Sequence, residues 1–274
     1  MPDNWPGFHG LDAERNTPTD RGPMTEISAS AETLTAPPLS QVERVVDTFV
    51  APSKTFTDIL RNQSWWLPFL LIVVIGYGFV FTVDKHVGWD QVLENSLKTN
   101  TSQSERIANA PAEQQASIRA TMKASFRIFS YAFPVFIILY WLVAAVVMMG
   151  TLNFGFGGHA KYGELLAVFA YAGLPGILKS ILSIVVLFAG LGAESFNLQN
   201  PVGTNLGYYL SPESPKWLIS LGTSIDVFTI WTIILLILGC AVVAKIKRGP
   251  AAIAVVGWWL VLTLVSVGAA AFQG

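Results

Sequence analysis

Five stretches of the chain are apolar for the length of a bilayer core, and polar segments separate them. The first runs from Trp65 to Val83, WWLPFLLIVVIGYGFVFTV, and holds no charged residue. The others cover residues 129–152, 164–191, 217–244 and 250–272. Each has about 20 or more residues, enough to cross ~30 Å of hydrocarbon at ~1.5 Å per residue. Lipid offers a backbone no hydrogen-bond partner, so each stretch must be helical. The pattern predicts an all-α membrane protein, a bundle of five transmembrane helices. An odd number of crossings puts the two ends of the bundle on opposite sides.

The polar segments have patterns of their own. Residues 1–38 are rich in Pro, Thr, Asp and Glu, with too little apolar surface to offset the entropy of ordering. A disordered polar tail is expected there, without the apolar core of a secretory signal. Over residues 39–64, Ser40 precedes Glu43 by three positions, the spacing of a capping box. Val42, Val45, Val46 and Phe49 then share a helical face, and Phe56, Ile59 and Leu60 repeat the pattern after Pro52. Two amphipathic helices are expected, either lying on the membrane or packed under the bundle.

The connection 84–128 is expected to be an extramembrane helical loop. Ser102 and Glu105 form a second capping-box spacing, and Ile118, Met122 and Phe126 a helical stripe. Beside that stripe run Arg119, Lys123 and Arg127, either solvated or set against anionic lipid headgroups. Ser214–Pro215 suits the start of the fourth span, and Gly249–Pro250 a tight turn joining the last two as an antiparallel hairpin. Trp65, Trp66 and Trp217 sit where an aromatic belt belongs.

Composition narrows the function classes. Charged residues make up 13% of the chain, against about 25% in a soluble domain. A net charge of −1 gives no basic field, so nucleic acid is not an expected partner. The single cysteine, Cys240, permits neither an internal disulfide nor a cysteine metal cluster. His9, His86 and His159 are far apart in sequence. Gly155, Gly157 and Gly158 read as turn residues, and the chain has no HExxH, GxSxG or P-loop motif. No catalytic set, cofactor or metal is expected, and the chain does not read as an enzyme. Lysines and arginines near the membrane tie between the two sides. The compact 245–248 cluster favours a cytoplasmic N-terminus and a C-terminus outside.

Two ionisable residues interrupt the apolar spans, Lys179 in the third and Asp226 in the fourth. A charge in hydrocarbon costs on the order of 3 kcal/mol or more, so it is usually paired or functional. Their depths along antiparallel neighbours roughly coincide, so they are expected to pair or share a polar pocket. The alternative is that Lys179 snorkels while Asp226 bonds Thr223 or Ser224. Pro175–Gly176 lies just before Lys179 and predicts a kink, either purely structural or of the kind that builds transporter sites.

Several of these stretches resemble the Yip1 domain family. They are Tyr162-Gly163-Glu164-Leu165-Leu166-Ala167-Val168, Tyr171-Ala172-Gly173-Leu174-Pro175, Asn200-Pro201 and Ile225-Asp226-Val227-Phe228-Thr229-Ile230-Trp231. Upstream, Ala51-Pro52-Ser53-Lys54-Thr55-Phe56 and Ser64-Trp65-Trp66-Leu67-Pro68 are similar to the approach to that family's first helix. The resemblance covers residues 40–270 and rests on order and spacing. It implies five membrane helices with a cytoplasmic N-terminus and a short non-cytoplasmic C-terminus. For eukaryotic members it implies Golgi or ER membranes, small GTPases and one another as partners. The reading is of a bacterial inner-membrane relative, a scaffold or membrane-organising factor that self-associates or recruits other membrane proteins. The alternative is a small-solute or ion transporter using Lys179 and Asp226, and an intramembrane enzyme comes last.

Overall fold

The structure, a computed structural model, describes residues 37–272. The expected tail therefore lies outside the described residues, apart from its last two positions. The helices run, in chain order, α1 (Gln41–Val50), α2 (Pro52–Ile59), α3 (Trp66–Thr82), α4 (Trp89–Thr99), α5 (Thr101–Ala108) and α6 (Ala112–Tyr131). They continue with α7 (Phe133–Gly150), α8 (Tyr162–Ala172), α9 (Pro175–Phe188), α10 (Lys216–Ser224), α11 (Val227–Ala244) and α12 (Arg248–Ala271). Single π turns prolong α3 to Val87 and α7 to Gly155. Five segments are long and apolar enough to cross a membrane: Trp66–Val87, Phe133–Gly155, Tyr162–Phe188, Val227–Ala244 and Arg248–Ala271. The fold is an all-α membrane fold.

The centre of the bundle is α8. Every residue from Glu164 to Ala172 is buried, because α1, α2, α3, α7 and α11 all pack around this one helix. Its sequence suits that place: apolar on all faces, with a single charge at the start. That charge, Glu164, accepts from the backbone N–H of Lys161 at 3.1 Å, where a carboxylate complements the helix N-terminus. Close approach needs a gap on α11, and Gly239 supplies it. A Cβ there would lie 2.6 Å from Val168 Cγ1 and 3.0 Å from the Phe56 ring.

The leading helices differ from the expectation in an instructive way. The Ser40–Glu43 capping box is present, with Glu43 Oε2 accepting the Ser40 N–H at 2.7 Å and Ser40 Oγ accepting the Glu43 N–H at 3.2 Å. Those bonds hold the Glu43 carboxyl below the usual carboxylate range. The valine face, however, splits. Val45 and Phe49 turn to the core, while Val42, Val46 and Val50 stay exposed. Between the two helices lie Arg44 and Thr48, both buried. On α2, Phe56 and Ile59 are fully buried in the main core. The pair is thus a packed hairpin against α8 and α11, with the Val42–Val46–Val50 stripe left exposed. Sequence periodicity groups apolar residues by angle, and it cannot see a buried ion pair that claims the middle of the face.

Three further expectations are corrected. The fourth span is not one helix from 217 to 244, because non-helical backbone at Ile225 and extended backbone at Asp226 separate α10 from α11. The hairpin between the last spans turns at 245–247, with Lys245 left-handed at φ 57°, and Gly249 and Pro250 already belong to α12. The cap of α5 is Asn100, whose Oδ1 accepts from the Gln103 N–H at 3.2 Å; Ser102 lies inside the helix. The expected stripe Ile118–Met122–Phe126 packs on Leu93, Leu97 and Ile107 to make a small helical cap at the end of the bundle away from the leading hairpin.

Candidate functional site

Two helix interruptions build the site. In the third span α8 ends at Ala172 and α9 starts at Pro175, so the candidate kink residues Pro175 and Gly176 open a new helix. Proline fits the first turn, where its missing N–H leaves nothing unpaired. The bonds Leu174 N–H to Tyr171 O (3.1 Å) and Gly176 N–H to Gly173 O (3.0 Å) keep the junction satisfied. In the fourth span the non-helical residues at 225 and 226 find partners in the 200–206 loop, which reaches back to them. The Val227 N–H donates to Thr204 O at 3.1 Å, and the Leu206 N–H donates to Ile225 O at 3.4 Å. This antiparallel bridge supplies the backbone partners that lipid cannot.

The loop is held rigidly. Asn205, buried, exchanges amide hydrogen bonds with Asn200 and accepts from the Tyr208 N–H at 3.0 Å. Gly207 meets Gly222 of α10 backbone to backbone: a Cβ on Gly222 would fall 2.8 Å from Gly207 N and 2.9 Å from its Cα. Backbone cannot step aside as a side chain can. Gly222→Ala is therefore expected to destabilise by about 1–3 kcal/mol, read as a lowered melting temperature in detergent. An unshifted midpoint would show that α10 moves freely against the loop.

The bridge brings together the two charges singled out by the sequence. Lys179 Nζ donates to Asp226 Oδ2 at 3.0 Å, and the Thr204 hydroxyl donates to the same oxygen at 2.5 Å. Asp226 Oδ1 accepts the N–H groups of Phe228 (2.9 Å) and Thr229 (3.2 Å), making the aspartate the N-cap of α11. A carboxylate offers about four acceptor positions, and four donors engage this one. The aspartate side chain is 2% exposed and the lysine 30%. Thr223 and Ser224, the alternative partners, instead bond backbone carbonyls one turn back.

Two apolar cavities flank the third-span interruption. One, of about 530 Å³, is bounded by Tyr140, Phe169, Gly176, Trp258, Trp259 and Leu262, with Lys179 and Asp226 on its wall. The other, of about 450 Å³, lies between α3, α7 and α9, and shares Tyr140, Gly173 and Gly176 with the first. Among the described residues no cluster of three His, Cys, Asp or Glu gathers in either.

The basic stripe divides. Arg119 pairs with Glu94, and Lys123 with Asp90 at 2.8 Å. Arg127 makes no ion pair among the described residues and lines a polar pocket with Asp84, Asp90 and Tyr131. A second buried charge pair escaped the sequence reading. Arg44, 1% exposed, donates Nε to Asp58 Oδ2 at 2.6 Å and a terminal N–H to Asn62 O at 2.8 Å. Its signal was available: Arg44 and Thr48 are polar residues at i and i+4, and Asp58 stands on the return helix of the same hairpin. The contribution of Thr204 had no such signal, because nothing local says that its loop folds back onto residue 226.

Comparison with known proteins gives one finding. A family model describing the Yip1 domain matches residues 46–270. No curated protein and no solved structure matches. The matched stretch spans the membrane helices up to the last residue of the fifth, both interruptions and the packed second leading helix. It covers most of the chain, which accordingly belongs to the Yip1 domain family.

Proposed function

We propose that this protein is a non-enzymatic membrane-organising factor, acting through self-association or through capture of other membrane proteins. The observation that carries the reading is how the intramembrane charge is used. Asp226 spends every acceptor on Lys179, Thr204 and its own helix, and the adjoining cavity is otherwise walled almost wholly by apolar side chains. A conduction path needs polar groups that exchange partners along its length; this pair is a fastening. The exposed Val42–Val46–Val50 stripe offers a surface for a neighbouring chain or for lipid. We place the protein in a bacterial inner membrane, N-terminus cytoplasmic and C-terminus outside.

The second reading, a transporter of small solutes or ions, draws on one fact: the larger cavity reaches Lys179. Proteoliposomes separate the two. The expected result is proton and potassium permeability equal to that of empty vesicles, together with copies joined through Val46→Cys when native membranes are oxidised. Buried Cys240 does not compete for that crosslink. Saturable flux that disappears in Lys179→Gln would overturn the proposal in favour of transport. Deleting residues 40–60 is unsuitable as a test, because it removes Phe56 and Ile59 from the core.

A further inference from the structure

Trp89 is 7% exposed, and its indole N–H is the one buried side-chain donor or acceptor without a partner among the described residues. A buried donor without an acceptor is costly enough that native structures rarely keep one. Its position is equally specific. Gly88, at φ 79°, turns the chain out of the first span, and Trp89 begins α4 at the far surface of the bundle. The ring lies against Tyr131, 6.3 Å between centroids.

Trp89 lines two cavities, of which only one carries charged side chains on its rim. On its membrane side is the apolar slot of about 450 Å³, which follows α3 from Ile72 to Val83. That is ~16 Å at ~1.5 Å per residue, matching the ~15 Å depth of one leaflet of a ~30 Å hydrocarbon core. On its outward side is the polar pocket of about 690 Å³, bounded by Asp84, Asp90, Lys123, Arg127 and Tyr131. An apolar slot one leaflet deep, a pocket with charged side chains beyond it and, between the two, a tryptophan whose buried donor has no partner form an amphipathic site in series.

We infer that this is a binding site for one glycerophospholipid of the far leaflet. Its acyl chain fills the slot between α3, α7 and α9. The Trp89 indole N–H, closed off in this structure, turns toward the slot to donate to an ester or phosphodiester oxygen. The headgroup lies in the polar pocket, where Arg127 faces the phosphate. Asp84 and Asp90 balance the cations there, so the pocket suits a zwitterionic headgroup such as phosphatidylethanolamine better than a purely anionic one. The inference does not depend on the proposed function; a scaffold or a transporter could hold the same lipid.

The test is native mass spectrometry of the full chain, released from detergent micelles after titration with phosphatidylethanolamine, phosphatidylglycerol or inorganic phosphate. The expected result is one phospholipid retained, with phosphatidylethanolamine held more tightly than phosphatidylglycerol and no retention of phosphate alone. Trp89→Phe keeps the ring and removes the donor; it should weaken retention roughly tenfold, the scale of one buried hydrogen bond. Arg127→Gln should weaken it as well, and Ser180→Leu, which crowds the slot wall, should abolish it. Trp217→Phe, at an exposed position, should change nothing. Three results would overturn the inference: no phospholipid on the unaltered protein, which leaves water as the indole's partner; equal retention in Trp89→Phe; or phosphate binding without lipid. Should Trp89→Phe fail to fold, Arg127→Gln and Ser180→Leu decide the matter alone.

Discussion

Asp226→Ala is expected to be among the most damaging single substitutions in the far half of the bundle, at about 3–5 kcal/mol, the range for removing one member of a buried ion pair. The substitution acts three times. It uncaps α11 by leaving the Phe228 and Thr229 N–H groups without an acceptor. It frees the Thr204 hydroxyl, loosening the loop that serves the non-helical residues. It strands the Lys179 ammonium, which is 30% exposed and faces a mostly apolar cavity. Lys179→Met is the informative contrast. It leaves the carboxylate with Thr204 and both backbone donors, so the loss should be nearer ~2 kcal/mol, that of one hydrogen bond to a charged group. Unfolding midpoints in mixed detergent would measure both. Equal losses would mean that the charge pair, and not the cap, is what holds the break together.

Arg44→Met carries the second large expectation, again about 3–5 kcal/mol. Arg44 and Asp58 are both nearly sealed from solvent, at 1% and 4% exposure, and the guanidinium also ties Asn62 O just ahead of the first span. The arginine's own carbonyl accepts the hydroxyls of Thr48 (2.7 Å) and Thr55 (2.9 Å), so the residue joins α1 to α2 through main chain and side chain together. Removing the cation leaves Asp58 with Arg61, 3.7 Å away at a partly exposed position. The double variant Arg44→Met/Asp58→Leu should recover much of the loss, because a buried pair replaced by apolar groups of similar size is often neutral. A double variant as unstable as the single one would show that the bonds to Asn62 and Asp58 backbone, rather than the stranded carboxylate, dominate.

The expectations that met the structure were those set by length and apolar content. Five crossings follow from how much hydrocarbon a helix must traverse, and no tertiary detail can alter that sum. Lys179 and Asp226 were visible for the same reason, since a charge is conspicuous in an apolar run. Their actual arrangement was not. Asp226 was read as a residue within a helix, and its role as a cap depends on Thr204, a residue 22 positions away in a loop without periodicity. The leading hairpin shows the other limit. Its helices and capping box were legible from local spacing, but which face turns inward was decided by a charge pair formed across the hairpin. The basic stripe was likewise legible as a stripe, while the carboxylates that neutralise Arg119 and Lys123 lie on a different helix, at Glu94 and Asp90.

The order of the residues around Asp226 has a consequence during synthesis. Lys179 and Thr204 both leave the ribosome before it, so the cation enters the bilayer well ahead of its counter-ion. The third span is also the least apolar of the five, and the fourth the most. Until the fourth span arrives, the third must keep an uncompensated ammonium near the far interface and leave the returning loop without its main-chain partner. Membrane integration of this protein is then expected to be pairwise rather than helix by helix. A released chain truncated after Lys216 should hold its third span loosely, and one extended past Ala244 should lock it.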